Sequence, residues 1–96
     1  MIIINEAAPN DKVYTVRIGA DDFCLYAENE NEAVDVVAEY FISRGDTGWY
    51  YDALEVELMA NSVSKTVPEF IEATDLRHCP KHNIYLPKCR VEEVSI

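Results

Sequence analysis

Several features that would place this chain outside the globular proteins are scarce or missing. The 96 residues include only 3 Gly and 4 Pro, so there is no low-complexity linker. The longest purely apolar run, 1–4, is far shorter than the roughly 20 residues that cross a bilayer. The N-terminus has neither the basic region nor the small-residue cleavage site of a signal peptide. We therefore expect one cytoplasmic domain, 1–96, with no membrane partner.

Cysteine is also scarce, and its number argues against a secreted disulfide framework. Such frameworks carry an even number of cysteines, whereas this chain has 3. We expect reduced thiols. The chain also lacks a P-loop, a dinucleotide-binding fingerprint and a nucleophile elbow, and no acid, base and nucleophile converge in the sequence. The sequence therefore favours a protein that is not an enzyme.

Basic residues are few, and this limits the possible partners. The chain has 8 Lys and Arg residues and 18 Asp and Glu residues, which gives a formal net charge of −10. Direct binding to nucleic acid is disfavoured, because phosphates must be neutralised by Lys and Arg. Two interpretations remain open: the charge serves solubility alone, or it forms a surface that meets a basic partner. Residues 76–91 differ, with four basic residues and no acidic one.

Hydrophobic periodicity predicts an α+β fold. Segments 12–18 and 23–27 alternate and predict a β-hairpin. Apolar residues at helical spacing predict one main helix over 29–44, with a cap at Asn29. Residues 53–59 alternate again and predict a third strand with an acidic face. The remaining predictions are a pairing edge at 1–4, a short helix over 67–73, an irregular stretch at 78–87 and a final strand at 90–96. Together these elements predict a small antiparallel sheet of four to five strands with helices on one face.

A metal knuckle is predicted near the C-terminus. Cys79 and His82 are separated by two residues, a spacing that lets both side chains face one ion. Residues 79–83 resemble the Cys-Pro-x-Cys-Gly knuckle of rubredoxin-like and zinc-ribbon proteins, with His for the second Cys and Asn for Gly. Cys89 is the candidate third ligand of a structural Zn²⁺. The fourth stays open among His78, Cys24 and a carboxylate such as Asp75. The alternative is a set of reduced cysteines and surface histidines.

Size, charge and the acidic segments resemble those of the small proteins that phages and mobile elements use against bacterial defence. More narrowly, the chain resembles the type II anti-CRISPR proteins, which inhibit Cas9. The resemblance rests on the −10 charge, on the acidic segments 28–39 and 52–57, and on the knuckle. It implies a protein in the host bacterial cytoplasm that binds a basic surface of Cas9, or of its guide complex, and blocks loading of target DNA. The implied contact residues are Glu28, Glu30, Glu32, Asp35, Glu39, Asp52, Glu55 and Glu57.

Two other functions remain open. One is a small zinc-stabilised adaptor or regulatory protein of a mobile element, working through the basic segment 76–91. The other is an acidic antitoxin or an antirestriction protein that mimics DNA. Both compete with Cas9 inhibition as interpretations of the same charge pattern.

Overall fold

The computed structural model describes residues 2–61, 76–87 and 89–95, and these form an α+β arrangement of two helices and two small antiparallel sheets. No helix in the described part of the chain is long and apolar enough to cross a membrane. In chain order the elements are β1 (Lys12–Ile18), β2 (Asp21–Ala27), α1 (Glu30–Ser43), β3 (Tyr51–Asp52), α2 (Ala53–Ala60), β4 (Arg77–Cys79), β5 (Ile84–Leu86) and β6 (Cys89–Glu93).

The first sheet, sheet A, is built on the predicted hairpin. β1 and β2 pair antiparallel through a two-residue turn at which Gly19 has a φ of 62°, a conformation that glycine adopts without a steric penalty. β6 pairs with the other side of β1, so the order is β2-β1-β6. Ile3 adds a single parallel bridge to Cys24 at the β2 edge. The hairpin and the final strand are thus confirmed, although the final strand begins and ends earlier than predicted.

Helix α1 lies on sheet A through its apolar stripe. The Asn29 side chain accepts a hydrogen bond from the Glu32 amide at 2.9 Å, as the predicted N-cap requires. At the other end Gly45 takes a φ of 68° and donates its amide to the Ile42 carbonyl. The helix prediction is confirmed to within a residue at each end. The buried face consists of Ala33, Val34, Val37, Ala38 and Phe41.

The predicted third strand is wrong, because residues 53–60 form helix α2 and only Tyr51 and Asp52 are paired as a strand. The Asp52 side chain accepts from the Leu54 amide at 2.8 Å and caps the helix. Leu, Glu, Met and Ala are strong helix formers, and this preference outweighs an alternation only seven residues long. No residue of α2 is buried, so packing against a core does not enforce a strand.

The stretch predicted to be irregular at 78–87 is instead a short hairpin of β4 and β5. Strand β3 pairs with β5 on its other side, giving a second sheet, sheet B, of order β3-β5-β4. The prediction of one sheet of four to five strands is therefore wrong: the described residues form two sheets of three strands. Cys79, Ile84 and Leu86 nevertheless belong to the same buried cluster as α1 and sheet A. The predicted short helix at 67–73 lies outside the described residues.

Candidate functional site

The clearest polar contact between distant segments lies where α1 meets the turn that joins β4 to β5. Cys79 ends β4, and its Sγ donates to Oδ1 of Asp35 at 2.7 Å. On the same turn, Nε2 of His82 lies 3.9 Å from Oε2 of Glu39. Asp35 and Glu39 are four residues apart on a helix, so their side chains lie on one face. Two carboxylates of α1 thus face the two predicted ligands of the Cys79–His82 knuckle.

The local conformation of this turn agrees with the knuckle predicted from the sequence. Asn83, at the position that Gly occupies in the rubredoxin-like pattern, has a φ of 52°. Asparagine is one of the few residues that adopt this left-handed conformation readily. The turn therefore places Cys79 and His82 beside α1, although Asn83 and not glycine occupies the left-handed position.

Cys79 is fully buried, and its surroundings favour the neutral thiol. Burial, followed by the hydrogen bond to Asp35, raises the pKa of Cys79 from 9.0 to about 11. Hydrogen bonding to the backbone of His82 and Lys81 acts in the opposite direction, because it favours the thiolate. At neutral pH the side chain is therefore a hydrogen-bond donor, poorly suited to act as a nucleophile.

His82 supplies the unsatisfied group of this contact. Its side chain is 21% exposed, yet Nε2 is buried and has no hydrogen-bond partner among the described residues. Buried polar atoms in proteins are nearly always paired, so this nitrogen is an exception in the described part of the chain.

The other predicted metal ligands lie elsewhere and have their own partners. Cys24 lies on β2 opposite Thr15, and Cys89 Sγ donates to the Pro87 carbonyl at 3.0 Å. His78 packs against Tyr85, with ring centroids 4.8 Å apart, and its Nε2 lies 3.1 Å from the Asn83 side-chain oxygen. All three cysteines are free thiols. Within residues 2–61, 76–87 and 89–95, no group of three or more His, Cys, Asp or Glu is arranged to hold a metal ion. Asp75 lies outside these ranges.

The acids predicted to contact a partner fall into two groups. Asp35 is half-buried against Cys79, and Glu39 lies beside His82. These contacts could not be predicted from the sequence, because Cys79 lies 44 positions from Asp35 along the chain. Glu32 is partly buried in the first turn of α1. The acids exposed to solvent are Glu28, Glu30, Glu39, Asp52, Glu55 and Glu57.

Five of the predicted contact acids have no counter-ion among the described residues. The ion pairs seen in the described part of the chain join Lys12 to Glu93, Arg17 to Asp22 and Arg90 to Glu92, besides the contact of His82 with Glu39. None of them includes Glu28, Glu30, Asp52, Glu55 or Glu57. Comparisons of the chain with protein-family models, with curated protein sequences and with solved structures find no match.

Proposed function

We propose that the protein is a binding module that docks exposed carboxylates on α1, on α2 and just before α1 onto a basic surface of a macromolecular partner. The observation that carries this proposal is the set of four exposed carboxylates, Glu28, Glu30, Glu55 and Glu57, without a counter-ion among the described residues. Unpaired like charges repel one another in the free protein, and a cationic partner relieves that repulsion.

The specific partner that we propose is Cas9 or its guide complex, in line with the resemblance in size and charge. A channel that accepts a nucleic-acid backbone offers many Lys and Arg side chains. An acidic protein that occupies this channel would exclude target DNA by competition. The physical requirement is only that the acidic groups reach the channel, so no catalytic step is involved.

The rival function, an adaptor that works through the basic segment 76–91, has less support from the geometry. Arg77 donates to the Asn31 side chain at 2.9 Å, and Arg90 pairs with Glu92 at 2.7 Å. Two of the four basic side chains of that segment are therefore already engaged within the molecule. An acidic antitoxin or antirestriction protein would use the same exposed acids as a Cas9 inhibitor, so the choice of partner separates these functions.

The test is binding of the purified protein to a purified Cas9–guide complex, with inhibition of target DNA binding as the second measurement. The double variant Glu55→Lys/Glu57→Lys should weaken binding at least about tenfold, the equivalent of about 1.4 kcal/mol. The matched control is Glu6→Lys/Asp21→Lys, which changes the net charge equally at two exposed acids outside the helices. Raising the ionic strength from about 0.1 M to about 1 M shortens the Debye length from about 10 Å to about 3 Å, and should weaken binding of the wild type.

Each part of the proposal has a result that would contradict it. Equal weakening by both double variants would mean that net charge alone, and not this surface, drives binding. Salt-independent affinity would remove the electrostatic mechanism. If the complex does not bind while another basic protein does, the binding module stands and Cas9 is the wrong partner.

A further inference from the structure

Strand β6 forms an open edge of sheet A. It pairs with β1 on one side, and no strand within the described residues pairs with its other side. Just beyond β6, the Val94 amide donates to the Val13 carbonyl at 2.8 Å, so these two residues are a hydrogen-bonded pair of the ladder. Hydrogen-bonded and non-hydrogen-bonded pairs alternate along antiparallel strands. The even-numbered residues of β6 therefore turn their backbone groups toward β1, and the odd-numbered residues turn theirs toward the open edge.

The side chains of β6 make this edge complementary to itself. Arg90 and Glu92 lie opposite Arg17 and Thr15, on the exposed face of sheet A. Two copies of β6 can lie antiparallel with Val91 opposite Val91. The odd-numbered residues then form hydrogen-bonded pairs across the new junction, so the free amides and carbonyls of both edges are satisfied. Arg90 of each copy lies opposite Glu92 of the other in a non-hydrogen-bonded pair, the type in which facing side chains are closest.

We propose that the protein forms a dimer by antiparallel pairing of β6 with β6 of a second copy, centred on Val91. The two copies are related by a twofold axis, and the two copies of sheet A become one continuous sheet. This inference goes beyond the proposed function and does not depend on it, because β6 carries none of the docking carboxylates.

Charge complementarity selects this register. The open-edge backbone groups also match when one strand is shifted by two residues, but a shift in one direction places Arg90 opposite Arg90. The shift in the other direction places Glu92 opposite Glu92. Like charges directly opposite one another destabilise an antiparallel pair, whereas opposite charges stabilise it. A shift by one residue would place inward-turned backbone groups opposite outward-turned ones.

Two opposing effects keep the dimer weak. Within one copy Arg90 already contacts Glu92 at 2.7 Å, but exposed pairs contribute little, so exchanging this contact for one across the junction costs little. The formal charge of −10 on each copy is repulsive over longer distances. At an ionic strength of about 0.15 M the Debye length is about 8 Å, which screens this repulsion more than it weakens adjacent cross-strand pairs. The dimer is therefore best measured at this ionic strength.

The experiment is sedimentation of the full chain in a thiol reductant, from about 1 µM to about 1 mM, which we expect to show a monomer–dimer equilibrium. Arg90→Glu and Glu92→Arg should each weaken dimerisation at least about tenfold, because both cross-strand pairs then join like charges. An equimolar mixture of these two variants should dimerise with about the wild-type affinity, since every pair across the junction is again of opposite charge. The matched controls Lys81→Glu and Glu6→Arg make the same charge changes at exposed positions outside β6 and should dimerise as the wild type does.

Amide hydrogen exchange of the wild type, followed by NMR at low and high protein concentration, tests the pairing independently of how the variants fold. The amides of Val91 and Glu93 should exchange more slowly in the dimer, whereas those of Arg90 and Glu92, which face β1, should be unchanged. A chain that stays monomeric up to about 1 mM would overturn the proposal. So would a dimer without slower exchange at Val91 and Glu93, or a variant mixture that does not dimerise. Slower exchange at these amides only when another protein is added would mean that the edge binds a different chain, which also overturns it.

Discussion

Raising the pH from about 8 to about 11 should destabilise the protein through the Cys79 thiol. Its pKa is about 11 in the folded protein, against an ordinary value of 9.0. A group whose pKa is raised by folding contributes its full stabilisation below the pKa of the unfolded chain. That contribution is lost as the pH rises toward the folded-state value. Two pKa units correspond to about 3 kcal/mol, a large part of the 5–15 kcal/mol that stabilises a typical domain.

The physical cause of the effect is that Cys79 has no exposed surface. Once the unfolded chain ionises this thiol near pH 9, folding must return the proton before burying the sulfur. Cys89 adds a contribution of the same sign, because burial also raises its pKa to about 11. The effect of Cys79 therefore has to be isolated by difference.

The assay is urea unfolding at four pH values between 8 and 11, in EDTA to exclude metal, followed by fluorescence of the single tryptophan, Trp49. The comparison is with Cys79→Ala, which loses the thiol but keeps Cys89 and every tyrosine. The variant should be less stable at pH 8, and the difference should shrink by about 2 kcal/mol by pH 11, where half of the folded thiols are still protonated. Two parallel stability curves, with a difference independent of pH, would refute the reasoning.

Two further predictions concern the packing and capping of α1. Phe41→Ala should cost about 3–5 kcal/mol in urea unfolding, because the ring is buried, stacks on Trp49 at 5.5 Å and meets Phe23 edge-on at 5.2 Å. Ile42→Ala, at the neighbouring exposed position, is its control, and an equal loss there would contradict the role of packing. Asn29→Ala should lower the free energy of unfolding by about 1 kcal/mol, whereas Asn29→Asp should leave it nearly unchanged, since Asp also caps; equal losses would mean that the cap contributes nothing.

The elements that could be predicted from sequence are those whose local pattern is long and unambiguous. Helix α1 has 14 residues with a continuous apolar stripe and a cap at its start. The β1–β2 hairpin has seven residues in each strand and a glycine at the turn. In both cases local preference and tertiary packing agree, so the sequence pattern was sufficient.

The failures have definite physical reasons. In α2, Leu54 and Leu58 alternate with acids, but the same two residues also lie on one face of a helix at spacing i, i+4. They remain 62% and 63% exposed, so the alternation of apolar and acidic residues did not indicate a buried face. Strands β4 and β5 have three residues each, too short to show a period of two. The pairing of these strands with β3 is a tertiary contact that no local pattern encodes.

The part of the candidate site that depends on local sequence could be predicted, and the part that depends on tertiary contacts could not. The Cys79–His82 spacing and the presence of Asn83 at the Gly position of the knuckle lie within five residues and could be identified from the sequence. The carboxylates that face them lie on α1, and only the packed structure brings Asp35 to within 2.7 Å of Cys79. Their i, i+4 spacing indicated a shared face, but nothing in the sequence identified what that face contacts.

Helix α1 therefore carries two acidic groups with different physical roles. Asp35 and Glu39 lie against the β4–β5 turn, where Asp35 accepts a hydrogen bond from Cys79 and Glu39 lies 3.9 Å from His82. Glu28 and Glu30, at the N-terminal end, are exposed and stabilised by the helix dipole. These contacts near the middle of α1, together with its buried apolar face, fix the orientation of the helix, so Glu30 has a defined position before a partner binds. Such preorganisation lowers the entropy lost on binding. We therefore expect Asp35 and Glu39 to affect partner binding through the position of α1, with no direct contact required.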